Sequence, residues 1–153
     1  MKWYYLLGLA VVAALAFAFI ASPKNADTAK LGETIEVYYS QTCGCCANYQ
    51  GYLRSSGLNV KSISSASVDG LKDSLNVPAN VRSCHTSKVA GYFVEGHVPV
   101  EAIKKLLAEK PDIDGIALGG MPSGSPGMPG AKKEPFEIQA VKDGKVVGVF
   151  TTV

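Results

Sequence analysis

Three cysteines fall within four positions, Cys43-Gly44-Cys45-Cys46, and a fourth, Cys84, is followed directly by His85. The only other histidine is His97, and Met121 and Met128 lie in a stretch rich in glycine, proline and serine. A disulfide scaffold spreads its cysteines along a short chain, so this clustering marks a site. Three thiolates this close repel one another unless a cation or a covalent bond neutralises them. A soft metal ion does so, and sulfur ligands favour Cu(I), zinc and iron–sulfur chemistry over hard cations. Zinc usually takes its ligands in pairs spaced by two to four residues, and a C-x-C-C run alone gives tetrahedral angles poorly, although Cys84 or His85 would complete a zinc site. Iron–sulfur clusters use wider spacings. Cu(I) accepts two or three soft ligands and can share bridging thiolates in a multinuclear cluster, so copper fits best and zinc less well.

The candidate ligands are therefore Cys43, Cys45, Cys46 and Cys84, with His85, His97 and Met128 as further candidates. Each has a plainer role to compete with. Cys84 could be a small buried hydrophobe, His85 a cap on local backbone, and His97 a loop residue that only hydrogen-bonds. Met128, among glycines and prolines, has little core to pack against. Met121-Pro122 reads instead as a packing and turn element. Cys43 and Cys46 also have C-x-x-C spacing. Thiol–disulfide or copper oxidoreduction is thus an alternative, in which Cys43 attacks and Cys46 or Cys84 resolves. An oxidising compartment would also permit a resting disulfide with Cys84 closing onto the cysteine segment, whereas a Cys45–Cys46 bond would be strained. A structural zinc domain is the third alternative.

Positioning these residues requires a strand-to-helix junction. Thr34–Ser40 is β-branched and aromatic and predicts a strand. Thr42-Cys43-Gly44 opens a helix to about Ser55, with Cys46, Tyr49 and Leu53 on one face and Gly57 as its stop. The unpaired N–H groups and the dipole at such a helix start favour thiolate over thiol. Leu58–Ile63 predicts a second strand, and Ser67 caps a helix through Leu75. A loop then carries Pro78 and Ser83-Cys84-His85-Thr86. Val89–Val94 suggests a short strand, Pro99 opens a helix reaching Lys110, and Gly115–Gly130 reads as ordered loop. Phe136–Val141 and Lys145–Phe150 flank Asp143-Gly144, a strong hairpin signal. Strand, cysteine-bearing helix, strand, helix and a late hairpin give an α/β, thioredoxin-like mixed sheet with flanking helices and a C-terminal β-hairpin. Material is inserted before that hairpin. Pro122, Pro126, Pro129 and Pro135 are candidates for the proline, commonly cis, that faces the cysteines in that fold.

The chain has 153 residues and a net charge of +2, with its charges mixed along its length, so nothing marks a nucleic-acid surface. Trp3–Ala21 is apolar and uncharged, long enough for a transmembrane helix and also similar to a secretory signal. Residues 1–22 are thus a membrane anchor or signal, 23–33 a polar linker, and 34–153 the globular domain. Either reading exports the domain, to a periplasmic or outer-face location, membrane-anchored or secreted.

Four motifs occur in order: Tyr39-Ser-Gln-Thr-Cys-Gly-Cys-Cys46, Ser83-Cys-His-Thr86, Gly91-Tyr-Phe-Val-Glu-Gly-His-Val-Pro99 and Gly120-Met-Pro-Ser-Gly-Ser-Pro-Gly-Met128. In these the chain resembles the exported copper-resistance CopG family, also known as domain-of-unknown-function family 411 and unrelated to the plasmid repressor of the same name. The resemblance runs from about Ile35 to Val153. It implies a thioredoxin relative that binds a small copper cluster, contributes to copper resistance and has redox activity as an open alternative. A copper-transfer or redox protein is the kind of partner such a protein would meet. Four positions depart from the family's habit. Gln41 stands where Pro is usual, Tyr49 where Trp is frequent, Tyr52 where His is frequent, and Pro129 where Glu is common. A histidine that ligates metal elsewhere would be missing at Tyr52.

Overall fold

The computed structural model describes residues 32–153; the expected anchor or signal and most of the linker lie outside them. Among these residues, seven strands form one mixed sheet in the order β2-β1-β3-β4-β5-β6-β7, with three α-helices. Among the described residues, no helix is long and apolar enough to cross a membrane.

Strand β1 (Thr34–Tyr39) alternates, and its Ile35 and Val37 are fully buried, as a half-buried strand's period of two requires. Helix α1 (Gly44–Ser55) follows, with Cys46, Tyr49, Gln50 and Leu53 as its buried stripe at helical spacing. It ends before Gly57, whose φ of +85° suits glycine. Strand β2 (Asn59–Ser64) returns parallel to β1. Helix α2 (Val68–Ser74) is capped as expected, the Ser67 hydroxyl accepting the Gly70 N–H at 3.2 Å. A single 3-10 turn (Ala79–Val81) then leads to β3 (His85–Val89) and β4 (Tyr92–Gly96). Helix α3 (Val100–Glu109), β5 (Gly115–Leu118), β6 (Glu137–Lys142) and β7 (Lys145–Thr152) complete the chain.

Several expectations need correction. The expected strand Val89–Val94 is instead the middle of a hairpin, β3–β4, antiparallel through Thr86↔Glu95 to Val89↔Tyr92 and turning at Ala90-Gly91. It follows α2 and its 3-10 turn with no inserted material, so His85 begins a strand instead of lying on a loop. The hairpin β6–β7, turning at Asp143-Gly144 as read, is an addition beyond α3. The Gly115–Gly130 segment, expected as loop, begins with β5, which lies parallel to β4 and is buried along its whole length. A strand covered on both faces loses the alternation that reveals a strand in sequence. All peptide bonds among the described residues are trans, including those preceding Pro122, Pro126, Pro129 and Pro135.

Alternate residues of β4 and β5 enter different cores. Val94, Ile116 and Leu118 join α1 and α3 in the larger cluster, with Tyr49, Leu53, Ile103 and Leu106. Phe93 and Ala117 face the other way, against Val77, Val81 and Val141. Strands β1, β4 and β5 run in one direction and β3 in the other. The carboxyl ends of the first three and the amino end of β3 therefore meet at one end of the sheet. Ligand sites in open sheets form at such strand ends.

Candidate metal centre

Each functional side chain is placed by one of those strand ends. Cys43 is the N-cap residue of α1 and makes no side-chain cap bond; Cys45 and Cys46 lie in the first turn. Cys84 immediately precedes β3, and His97 immediately follows β4. Cys43 and Cys46 are joined by a disulfide, with Cα atoms 5.3 Å apart. The resting disulfide that an oxidising compartment would permit thus lies within the C-x-x-C segment and does not involve Cys84; Cys45 and Cys84 are the free cysteines.

The four sulfurs still form one group. Cys45 Sγ is 3.4 Å from Cys43 Sγ and 3.6 Å from Cys84 Sγ, and Cys46 Sγ is 3.5 Å from Cys84 Sγ. All four lie within 4.8 Å of one another. Two sulfurs sharing an ion at bond lengths of about 2.3 Å stand roughly 3.5–4 Å apart. The separations of 3.4–3.6 Å between these sulfurs lie at the short end of that range.

Cys84 also belongs to a second group with His85 and His97. Its sulfur is 3.4 Å from His85 Nδ1 and 3.2 Å from His97 Nε2. His97 Nδ1 lies 2.7 Å from the Pro126 carbonyl oxygen. A carbonyl only accepts, so Nδ1 carries the proton and a neutral His97 turns the bare lone pair of Nε2 towards Cys84. An imidazole whose far nitrogen is fixed by a carbonyl in this way is typical of metal-ligating histidines. His85 is fully buried, and its Nε2 has no partner among the described residues. Burial, followed by the charges of His97 and Lys72, pushes the His85 imidazole down to about 3. Burial also lowers His97, offset in part by the Pro126 carbonyl. The Cys84 thiol is pushed up to about 11, first by burial and then by Cys45. Without metal, Cys84 is therefore a neutral thiol between neutral imidazoles. A cation would draw out its proton and recruit all three groups.

Met128 is half-buried in the loop between β5 and β6. Its neighbour Gly127 sits on the first turns of α1, where a Cβ would lie 2.6 Å from Tyr49 N and 3.0 Å from the Cys45 carbonyl oxygen. This loop, not a cis proline, closes over the cysteines. Met121 is 53% exposed, which corrects its reading as a packing residue.

The departures from family habit are also placed. Tyr49 is fully buried, its ring centroid 4.5 Å from His85 and 5.5 Å from His97. Its hydroxyl donates to the Val98 carbonyl at 2.9 Å. The Tyr52 hydroxyl accepts the Val100 N–H at 2.9 Å, satisfying a free donor at the start of α3. Tyr49 thus braces both imidazoles, a role that its spacing on the buried stripe hinted at without showing.

Comparison with known proteins agrees with this geometry. A family described as "Protein of unknown function, DUF411" matches residues 81–128, a stretch that contains Cys84, His85, His97 and Met128 but not the cysteine triplet. No curated protein matches the chain. Two solved structures of a copper resistance protein CopG do. Form 2 is 35% identical with a TM-score of 0.73, and the match covers 79% of this chain and 98% of that one. Form 1 is 36% identical with a TM-score of 0.71, over 78% and 96% of the two chains. The chain belongs to the CopG-type copper-resistance family. For a CopG-type protein, a sulfur cluster at the strand ends is a metal-binding constellation of the expected soft character.

Proposed function

We propose that the protein binds Cu(I) outside the cytoplasm, sequestering it or passing it on, as part of copper resistance. Cys43, Cys45, Cys46 and Cys84 hold the metal, with His97, His85 and Met128 completing the coordination. The observation that carries this reading is the convergence of four sulfurs from two distant segments, with Cys84 shared between the sulfur set and the two imidazoles. Soft sulfur donors with one or two imidazoles suit Cu(I), and several bridging thiolates suit more than one ion. The thioredoxin-like reading is supported by the β1-α1-β2-α2-β3-β4-α3 order with sheet order 2-1-3-4. Location outside the cytoplasm, by an anchor or a cleaved signal, is supported by the apolar run Trp3–Ala21.

The test is an anaerobic titration of the reduced full-length protein with Cu(I) against a competing chelator, with metal counted by elemental analysis. Several tightly held copper ions, reduced in number in Cys45→Ser, are expected. No copper retained against the chelator refutes the reading.

One observation favours a second reading, copper-linked oxidoreduction. Cys43 and Cys46 are already joined, and Cys45 and Cys84 lie within 3.6 Å of those sulfurs. Two thiolates can give one electron each to two Cu(II) ions, forming one disulfide and two Cu(I). Cu(II) reduction by the reduced protein, with one disulfide formed per two Cu(I) produced, would support it. Metal uptake without electron transfer would leave storage or transfer alone.

A further inference from the structure

A buried ion pair stands behind the metal site. Lys72 of α2 is 2% exposed and Glu95 of β4 is fully buried, with Nζ to Oε1 at 2.6 Å. Burying opposite charges seldom adds stability over well-packed apolar side chains, because both must first be stripped of water. The pair therefore calls for another reason, and its remaining bonds supply one. Glu95 Oε1 also accepts the Ser83 backbone N–H at 2.6 Å. Glu95 Oε2 accepts the Thr86 hydroxyl at 2.6 Å, and Thr86 Oγ1 accepts from Lys72 Nζ at 2.8 Å. Ser83 and Thr86 flank Cys84 and His85 on either side.

We propose that Glu95 is a positioning residue for the metal site, its carboxylate holding the Cys84–His85 dipeptide in place through the Ser83 amide and the Thr86 hydroxyl. Lys72 donates to the same carboxylate from the α2 side and to the Thr86 hydroxyl, which fixes the orientation in which Glu95 meets both flanking residues. The Ser83 hydroxyl adds a bond to the Gly120 carbonyl, which ties the same turn to the end of β5. The loop before β3 has no strand partner at Ser83 or Cys84, so this carboxylate does what a ladder would otherwise do. Without it, binding metal would first have to order the dipeptide, and affinity would fall.

The proposal rests on the copper reading, and its test separates the two. Lys72→Met/Glu95→Gln removes both charges but keeps an oxygen for the Ser83 amide and an N–H for the Thr86 hydroxyl. Lys72→Met/Glu95→Leu removes both charges and both bonds. In the reduced full-length proteins, Cu(I) affinity is measured by chelator competition. In the metal-free proteins, amide exchange at Ser83 and the thermal midpoint are measured. The Leu variant is expected to bind Cu(I) about ten- to a hundredfold more weakly than the Gln variant, with faster Ser83 exchange. Equal affinity and equal exchange in the two overturn the proposal. Should the parent protein hold no Cu(I), the copper reading fails alone, and Ser83 exchange still decides whether Glu95 holds the dipeptide. Should the Leu variant not fold, Thr86→Val removes one bracket bond with little change of shape. Weaker Cu(I) binding is then expected, and affinity equal to the parent overturns the proposal.

Discussion

Gly127→Ala tests whether the loop between β5 and β6 is seated on the cysteine helix. Gly127 has φ +84°, and an alanine held there pays a backbone penalty of roughly 1–2 kcal/mol. Its Cβ would also lie 2.6 Å from Tyr49 N, 2.9 Å from Tyr49 Cα and 3.0 Å from the Cys45 carbonyl oxygen. All three are backbone atoms of a helix and cannot swing aside, so the loop or the helix start must move, at about 1–3 kcal/mol. The sum, about 2–5 kcal/mol, is read by urea unfolding of the metal-free protein under fixed redox conditions. Gly120→Ala is the control, because Gly120 has φ +67° and nothing within 4 Å of an added Cβ, leaving only the backbone term. If the loop escapes by lifting, His97 loses its Pro126 acceptor, and the imidazole N–H signal should move in NMR. A Gly127→Ala cost no larger than that of Gly120→Ala, with the His97 signal unmoved, would show that the loop does not close the site.

Three further outcomes follow from the same contacts. In the unfolded chain His85 titrates near 6.5 but in the folded protein only near 3, so below pH 6.5 the unfolded state binds a proton that the folded state refuses. Metal-free stability should fall from about pH 6.5 to about 3, by an amount of order 4 kcal/mol for this residue, and His85→Gln should flatten that part of a denaturation-versus-pH curve. Alkylation of Cys84 in the oxidised, metal-free protein, followed by mass spectrometry, should accelerate with pH up to about 11 instead of levelling off in the ordinary thiol range near 8–9. Cu(I) at 100 times its dissociation constant should stabilise the fold by at most about 2.7 kcal/mol, less whatever the cysteine triplet binds in the unfolded chain, and Cys84→Ser should shrink the shift in thermal midpoint well below the parent's.

What the sequence disclosed was the local part of this protein. The C-x-C-C run, its place between a strand and a helix, the Ser67 cap and the Asp143-Gly144 hairpin are all set by near neighbours, and all were legible. The β3–β4 hairpin was not, because its turn puts Ala90 at φ +48° before Gly91 at +88°. A two-residue turn of that hand normally advertises itself with Asn or Asp, and an alanine there is tolerated only because the flanking strands are fixed in a central sheet. Strand β5 is four residues long and apolar throughout, so neither length nor alternation marked it. C-x-x-C spacing did permit the Cys43–Cys46 bond, but nothing in the sequence ranked it above a bond to Cys84. The partnership of Lys72 with Glu95, 23 residues apart, had no sequence signal of its own.

The distance between those segments along the chain explains why the cysteine triplet is not the whole site. Cys43, Cys45 and Cys46 are within four positions, and a chain holding them can gather Cu(I) folded or unfolded. A metal that binds both states equally contributes nothing to folding. Cys84 and His97 come from the amino end of β3 and the carboxyl end of β4, 38 and 51 residues beyond Cys46, and they reach the triplet only when β1, β3 and β4 have paired. The Pro126 carbonyl that orients His97 arrives from beyond β5 and needs a fourth strand in place. Cys84 is therefore the residue at which metal binding becomes conditional on the fold. The burial that makes its thiol reluctant to ionise also makes a metal ion effective at removing the proton.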